Sequence, residues 1–140
     1  MNDFEFLQVT MQVTGLCSST EYRKAFQLSR RKGPETLARA DKNSEDHAAI
    51  RLLIGTWDRI AMFSESFSAE QQQQFFRSHP VSLVWNSFKP AVEVIRSNTD
   101  NSFAKTFENL HDQYETWTTG NDGRQFSTVQ QQAIVALFFS

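Results

Sequence analysis

Apolar residues recur at helical spacing along most of the chain. Two long stripes repeat at intervals of three and four residues, one after Asn43-Ser44 and one from Val81 to Ile95. Each stripe predicts an amphipathic helix with one buried face. Pro90 interrupts the second stripe. Because proline has no backbone N–H, the carbonyl of Asn86 loses its hydrogen-bond donor, and a kinked helix is predicted. The first stripe consists of Ile50, Leu53, Ile54, Trp57, Ile60 and Ala61.

Capping residues, Gly and Pro mark the ends of these helices. The segments Ser18–Glu21 and Ser68–Gln71 have the spacing of capping boxes, and Gly33-Pro34 ends the helix that the first of them begins. These markers are close together, so the helices are short and their connections are short. The sequence therefore predicts an all-α fold, a single-domain bundle of seven or eight short helices over residues 1–140.

Residues 3–14 fit two templates. Leu7, Val9, Met11 and Val13 alternate with polar residues, which is typical of a strand. Phe4, Leu7 and Met11 also share one helical face. We predict a helix, because no second convincing strand is present to pair with the first.

The composition is that of an ordinary globular domain with an aromatic core. Hydrophobic residues make up 39% of the 140 residues and charged residues 21%, so a folded single domain is expected. Thirteen Phe and three Trp supply the large side chains of the core. The formal charge of −2 gives no long-range attraction to phosphate, and nucleic acid is not an expected partner.

Targeting features and disulfides are not recognisable in the sequence. Cys17 is the single cysteine, so no intrachain disulfide forms and a reducing, cytoplasmic location is expected. Asp3 and Glu5 interrupt any signal peptide, and no apolar run reaches the length of a membrane span.

The basic cluster Arg30–Lys32 is interpreted as a solvated helix end, although contact with an acidic partner or a membrane surface stays open.

No motif indicates catalysis, a metal or a cofactor. The chain has no glycine-rich phosphate loop and no nucleophile motif. His111, Asp112 and Glu115 come nearest to a metal cluster, but a solvated acidic helix face is the preferred interpretation. Cys17 is interpreted as a small buried residue. A non-enzymatic protein without a cofactor is expected.

Three short segments resemble a family of small bacterial helical proteins that is classed as a domain of unknown function. They are Trp57–Ala61, then Trp85 with Pro90 and Arg96, and then Phe107–Leu110, within the stretch from Tyr22 to Glu115. The family often follows a membrane helix, and no such helix is expected from this sequence. The resemblance implies the helical fold and, because the family has no assigned activity, no particular function.

The sequence suggests two candidate binding sites that contain charged residues. Trp85, Arg96 and Glu108 form either a polar pocket at the Pro90 kink or an interhelical salt bridge, with the salt bridge preferred. An acidic face is the second candidate, and Glu108 would belong to it as well. Its other members are Asp100, Asp112, Glu115 and Asp122.

The C-terminal segment is a candidate for self-association. From Ala133 to Phe139 it is apolar on nearly every helical face, with Leu137, Phe138 and Phe139 at its end, and is either an interface or a central core helix. Two functions are therefore considered. The first is an interaction or regulatory module that binds another protein or a second copy of itself. The second is a small inhibitor, immunity or anti-defence protein that binds an enzyme through the acidic face.

Overall fold

The computed structural model describes residues 1–120, which form seven α-helices and no strand. The all-α prediction is confirmed, and residues 3–14 are helical. The part of the chain that contains Asp122, Leu137, Phe138 and Phe139 lies outside the described residues. The helices are α1 (Asp3–Ser18), α2 (Thr20–Lys32), α3 (Pro34–Arg39), α4 (Glu45–Ser64), α5 (Ala69–Ser78), α6 (Val81–Asn98) and α7 (Lys105–Gly120).

Two helix starts agree with the capping residues read from the sequence, and one does not. Ser44 caps α4, and Ser68 with Gln71 forms the predicted capping box of α5. The start of α2 was predicted one residue early. Ser19, and not Ser18, is the cap, because its hydroxyl accepts the backbone N–H of Tyr22 at 3.1 Å. Ser18 is instead the last residue of α1.

The α4 helix lies at the centre of the bundle and contacts α1, α2, α3, α6 and α7. Its predicted stripe is fully buried. Within it, the Trp57 ring stacks on Phe107 of α7 at 5.9 Å, and the Trp57 indole N–H donates to the Tyr22 hydroxyl of α2 at 2.9 Å. The buried indole therefore has a partner for its one hydrogen-bond donor. Through these two contacts, Trp57 connects α4 with α2 and α7.

The α6 helix carries the second stripe and packs mainly on α3 and α7. Trp85, Phe88, Val92 and Ile95 are all buried, as the helical spacing predicts. Pro90 lies on the exposed side of α6, and the helix continues beyond it to Asn98. The kink at Pro90 stays a prediction.

The α1 helix is apolar on two opposite sides. In a helix, residues two apart point in nearly opposite directions, so the alternating pattern places Val9 and Val13 towards the core. Leu7 and Met11 lie on the outer side and are exposed. The period-two pattern that is typical of a strand therefore arises from a helix with two apolar faces.

Candidate functional site

Arg96 and Glu108 form a partly buried ion pair at the hairpin between α6 and α7. The guanidinium Nη2 lies 3.4 Å from the Glu108 carboxylate, and its Nε donates to the Phe103 carbonyl at 2.9 Å. The Lys105 ammonium donates to the same carboxylate at 2.8 Å, and this hydrogen bond, together with Arg96, holds the pKa of Glu108 below its ordinary value. The interhelical salt bridge is thus present, and both partners are occupied by it.

The predicted pocket at Pro90 does not include this ion pair. Pro90 and Arg96 are six residues apart, so they point about 120° away from each other around the helix axis. Pro90 lines a polar groove of about 420 Å³ between α3 and α6, where Glu35 and Arg39 form an exposed ion pair at 2.9 Å. The structure therefore separates Pro90 from Arg96 and Glu108.

Trp85 is a core residue and not part of an accessible pocket. Only 3% of its surface is exposed. Its ring meets Phe107 edge-on at 5.1 Å and stacks on His111 at 5.7 Å, while the Arg96 guanidinium lies 6.0 Å from the ring centre. Because Phe107 lies between Trp57 and Trp85, the three segments that carry the family resemblance meet around this one ring.

The nearest approach to a catalytic arrangement is Ser82 with His111 and Glu115. The Ser82 hydroxyl lies 2.9 Å from His111 Nδ1, and the Glu115 carboxylate lies 3.9 Å from the same nitrogen. A proton relay needs the two groups on opposite ring nitrogens, so that one nitrogen accepts a proton while the other is held by the acid. Ser82 and Glu115 both lie nearest Nδ1, so this arrangement is not that of a Ser–His–acid relay.

Cys17 is buried beside Tyr22, as expected of a structural cysteine. Burial raises the pKa of its thiol to about 12, against a smaller opposing effect of the Tyr22 hydroxyl. Burial likewise raises the pKa of Tyr22. Both groups stay protonated at neutral pH, so neither supplies a nucleophile.

The candidate acidic face is divided in the described residues. Glu108 is paired with two cations, whereas Asp112 and Glu115 are exposed on α7. Asp100 lies in the turn before α7, where the Ser102 hydroxyl and backbone N–H both donate to it and lower its pKa. In residues 1–120, no group of three or more His, Cys, Asp or Glu side chains is placed to hold a metal ion.

The exposed large apolar side chains of α1 and α4, here called the α1–α4 apolar surface, were not recognised from the sequence. All five large apolar side chains that are exposed in residues 1–120 lie on these two helices. Phe4, Leu7 and Met11 are 68%, 56% and 66% exposed and form the outer stripe of α1. Leu52 and Met62 are the exposed members on α4. The pattern that could have revealed this surface is the alternation over residues 7–13.

A groove of about 400 Å³ runs between α1 and α4 beside the outer stripe. Gly15, Leu16 and Phe63 give it apolar walls, and Gly15 leaves open space because no heavy atom lies within 4 Å of where its Cβ would be. Arg59 is the one charged residue in the lining, and its guanidinium forms no ion pair with the described part of the chain. The groove can therefore accept an apolar side chain next to an acidic one.

Comparison with known proteins identifies no relative. No protein-family model matches the chain, and neither a characterised protein nor a solved structure is detectably similar to it. The resemblance to the bacterial helical family consequently stays a prediction. Over residues 1–120, none of the helices combines the length and apolarity that crossing a bilayer requires.

Proposed function

We propose that this protein is a non-enzymatic interaction module that binds the apolar face of a partner helix on the α1–α4 apolar surface. The observation that carries the proposal is that every exposed large apolar side chain of residues 1–120 lies on α1 or α4, and that three of them form one stripe along α1. Single exposed apolar residues are common on proteins, but a stripe of three on one helix face is typical of a binding surface.

The energetics favour a partner on this surface. Burial of one large apolar side chain contributes roughly 1.5–3 kcal/mol, so several of them together offset much of the cost of association. The outer stripe of α1 has residues three and four apart, which is the spacing by which a helix packs on another helix. The Arg59 guanidinium at the groove favours a partner that carries a carboxylate beside its apolar residues.

The alternative function, an inhibitor that binds an enzyme through an acidic face, has weaker support. Glu108 is neutralised by Arg96 and Lys105, so the described members of the candidate acidic face that keep an exposed carboxylate are Asp100, Asp112 and Glu115. Asp112 and Glu115 lie three residues apart on α7, whereas Asp100 lies in the turn before that helix. The apolar surface is therefore the preferred binding site.

The experiment is affinity capture with the full chain as bait and two charge-matched double variants. Leu7→Asp with Met11→Asp places two carboxylates on the outer stripe. Gln74→Asp with Asn109→Asp places two at exposed polar positions on α5 and α7. A protein, or an untagged copy of this chain, that the wild type and the control retain and the stripe variant loses supports the proposal. An identical set of bound proteins for all three contradicts it.

A further inference from the structure

The outer stripe of α1 has the geometry of a helix–helix seam. Phe4, Leu7 and Met11 follow one another at intervals of three and four residues, and Thr14 is the next position in the series. The opposite side of α1 already packs on the core through Val13 and Cys17. The stripe is therefore a complete second face of a helix that its own domain holds in place.

We infer that this stripe binds a second copy of the chain, with the two α1 helices antiparallel. The inference rests on the proposed function, since it names the partner of part of the same surface. A two-fold axis that crosses the stripe between Leu7 and Met11 places Leu7 of each copy beside Met11 of the other. Phe4 then lies near Thr14 of the second copy, so one patch is complementary to itself, as an isologous interface requires.

The charges of α1 favour the antiparallel arrangement. Asp3 and Glu5 are its only charged residues, and both lie in the first turn. Parallel helices would place each carboxylate beside its own copy and align two positive helix ends. In the antiparallel pair, the first turn of each helix lies beside the second half of the other, which carries no charge. The antiparallel pair therefore avoids both repulsions.

The area of the stripe predicts a weak dimer. Its three side chains expose roughly 350 Å² in each copy, within the size of the patches that monomers use for binding. Two copies bury about 700 Å² from the stripe alone, and stable specific interfaces begin at about 1,200 Å². The stripe therefore has the size of a weak, transient interface. A dissociation constant on the order of 10 μM is expected.

The first test is sedimentation of the full chain from about 1 to 500 μM, a range that brackets the expected dissociation constant. The wild type is expected to change from monomer to dimer over this range. Leu7→Asp should weaken the association at least about tenfold, because it buries an unpaired charge, while Gln74→Asp should leave it unchanged. A wild type that stays monomeric, or a dimer that is insensitive to Leu7→Asp, overturns the inference.

The second test determines the orientation by disulfide formation. In the antiparallel pair, the two copies of residue 4 are roughly 15 Å apart along the axis, as are those of residue 14. Neither Phe4→Cys nor Thr14→Cys should link to itself, whereas an equal mixture should give the mixed dimer. Cys17 is buried and stays unlinked. Self-linked Phe4→Cys would show parallel helices and overturn the proposed arrangement.

The two proposals fail in different ways. A monomeric wild type that still retains another protein through the outer stripe disproves the second copy as partner and leaves the proposed function standing. A stripe variant that changes neither self-association nor capture disproves both.

Discussion

The carboxylate of Asp58 on α4 accepts a hydrogen bond from the backbone N–H of Phe107 at 3.0 Å, across 49 residues of chain. Phe107 is the third residue of α7, where a backbone N–H has no partner inside the helix. The residue before α7 is Ala104, which has no side-chain acceptor and adopts the left-handed conformation at φ 59°. The start of α7 is therefore fixed by a neighbouring helix and not by its own cap.

The first prediction concerns this remote cap. Asp58→Ala should lower the free energy of unfolding by about 1 kcal/mol, since it leaves the N–H of Phe107 without its acceptor. Asp58→Asn keeps an acceptor oxygen and should lose less. Urea unfolding followed by tryptophan fluorescence measures both variants. Equal stability of Asp58→Ala and the wild type would show that the hydrogen bond contributes nothing.

The second prediction concerns the aromatic centre. Trp85→Ala should cost roughly 3–5 kcal/mol, because it removes the ring that packs against Phe107 and His111 and leaves a cavity. This is close to the whole stability of a small domain, so Trp85→Phe is the milder companion variant. Urea unfolding followed by circular dichroism gives the free energies. A cost below about 1 kcal/mol for Trp85→Ala would contradict a buried role.

The third prediction concerns pH. His79 is buried between α5 and α6, where its ring stacks on Phe75 at 4.1 Å and its Nδ1 lies 3.0 Å from the Phe75 carbonyl. Burial lowers its pKa from 6.5 to about 4, while the hydrogen bond to that carbonyl opposes the change. The folded state thus favours the neutral ring, and below pH 6.5 the unfolded chain binds the proton first.

The free energy of unfolding should therefore have its full value above pH 6.5 and decrease as the pH falls towards 4. The decrease between pH 8 and pH 5 is about 2 kcal/mol for this one group. Urea unfolding at a series of pH values measures it, with His79→Gln as the control that lacks the titrating ring. A wild-type profile as flat as that of His79→Gln over this interval would be inconsistent with a buried neutral His79.

The sequence predicts the elements of this fold where one apolar stripe is opposed by one polar face. The α4 and α6 helices are of this kind, and their buried residues agree with the stripes. The start of α7 could not be predicted, because the acceptor that caps it comes from Asp58 on another helix. Similarly, Ser18 and Ser19 are equally suitable caps by residue type, and only the fold selects between them.

Of the candidate sites, the sequence predicted the ion pair but not the exposed apolar stripe. The Arg96–Glu108 pair was expected from residue type and spacing along two adjacent helices, and it is present. The outer stripe of α1 was not recognised, because a pattern with two apolar sides predicts no single buried face. Only the packing of α1 on the core shows that Val13 is covered and Leu7 is not.

We propose that Phe4, Leu7 and Met11 serve binding and not folding. The unfolding free energy of the triple variant Phe4→Ser, Leu7→Ser, Met11→Ser distinguishes these two roles. It is taken at a concentration where the wild type is monomeric, and binding is measured on the same samples at high concentration. We expect the triple variant to keep a stability within about 0.5–1 kcal/mol of the wild type and to lose association. A loss of about 3 kcal/mol or more at low concentration would contradict it, because such a cost shows that the stripe is buried within a single copy of the protein.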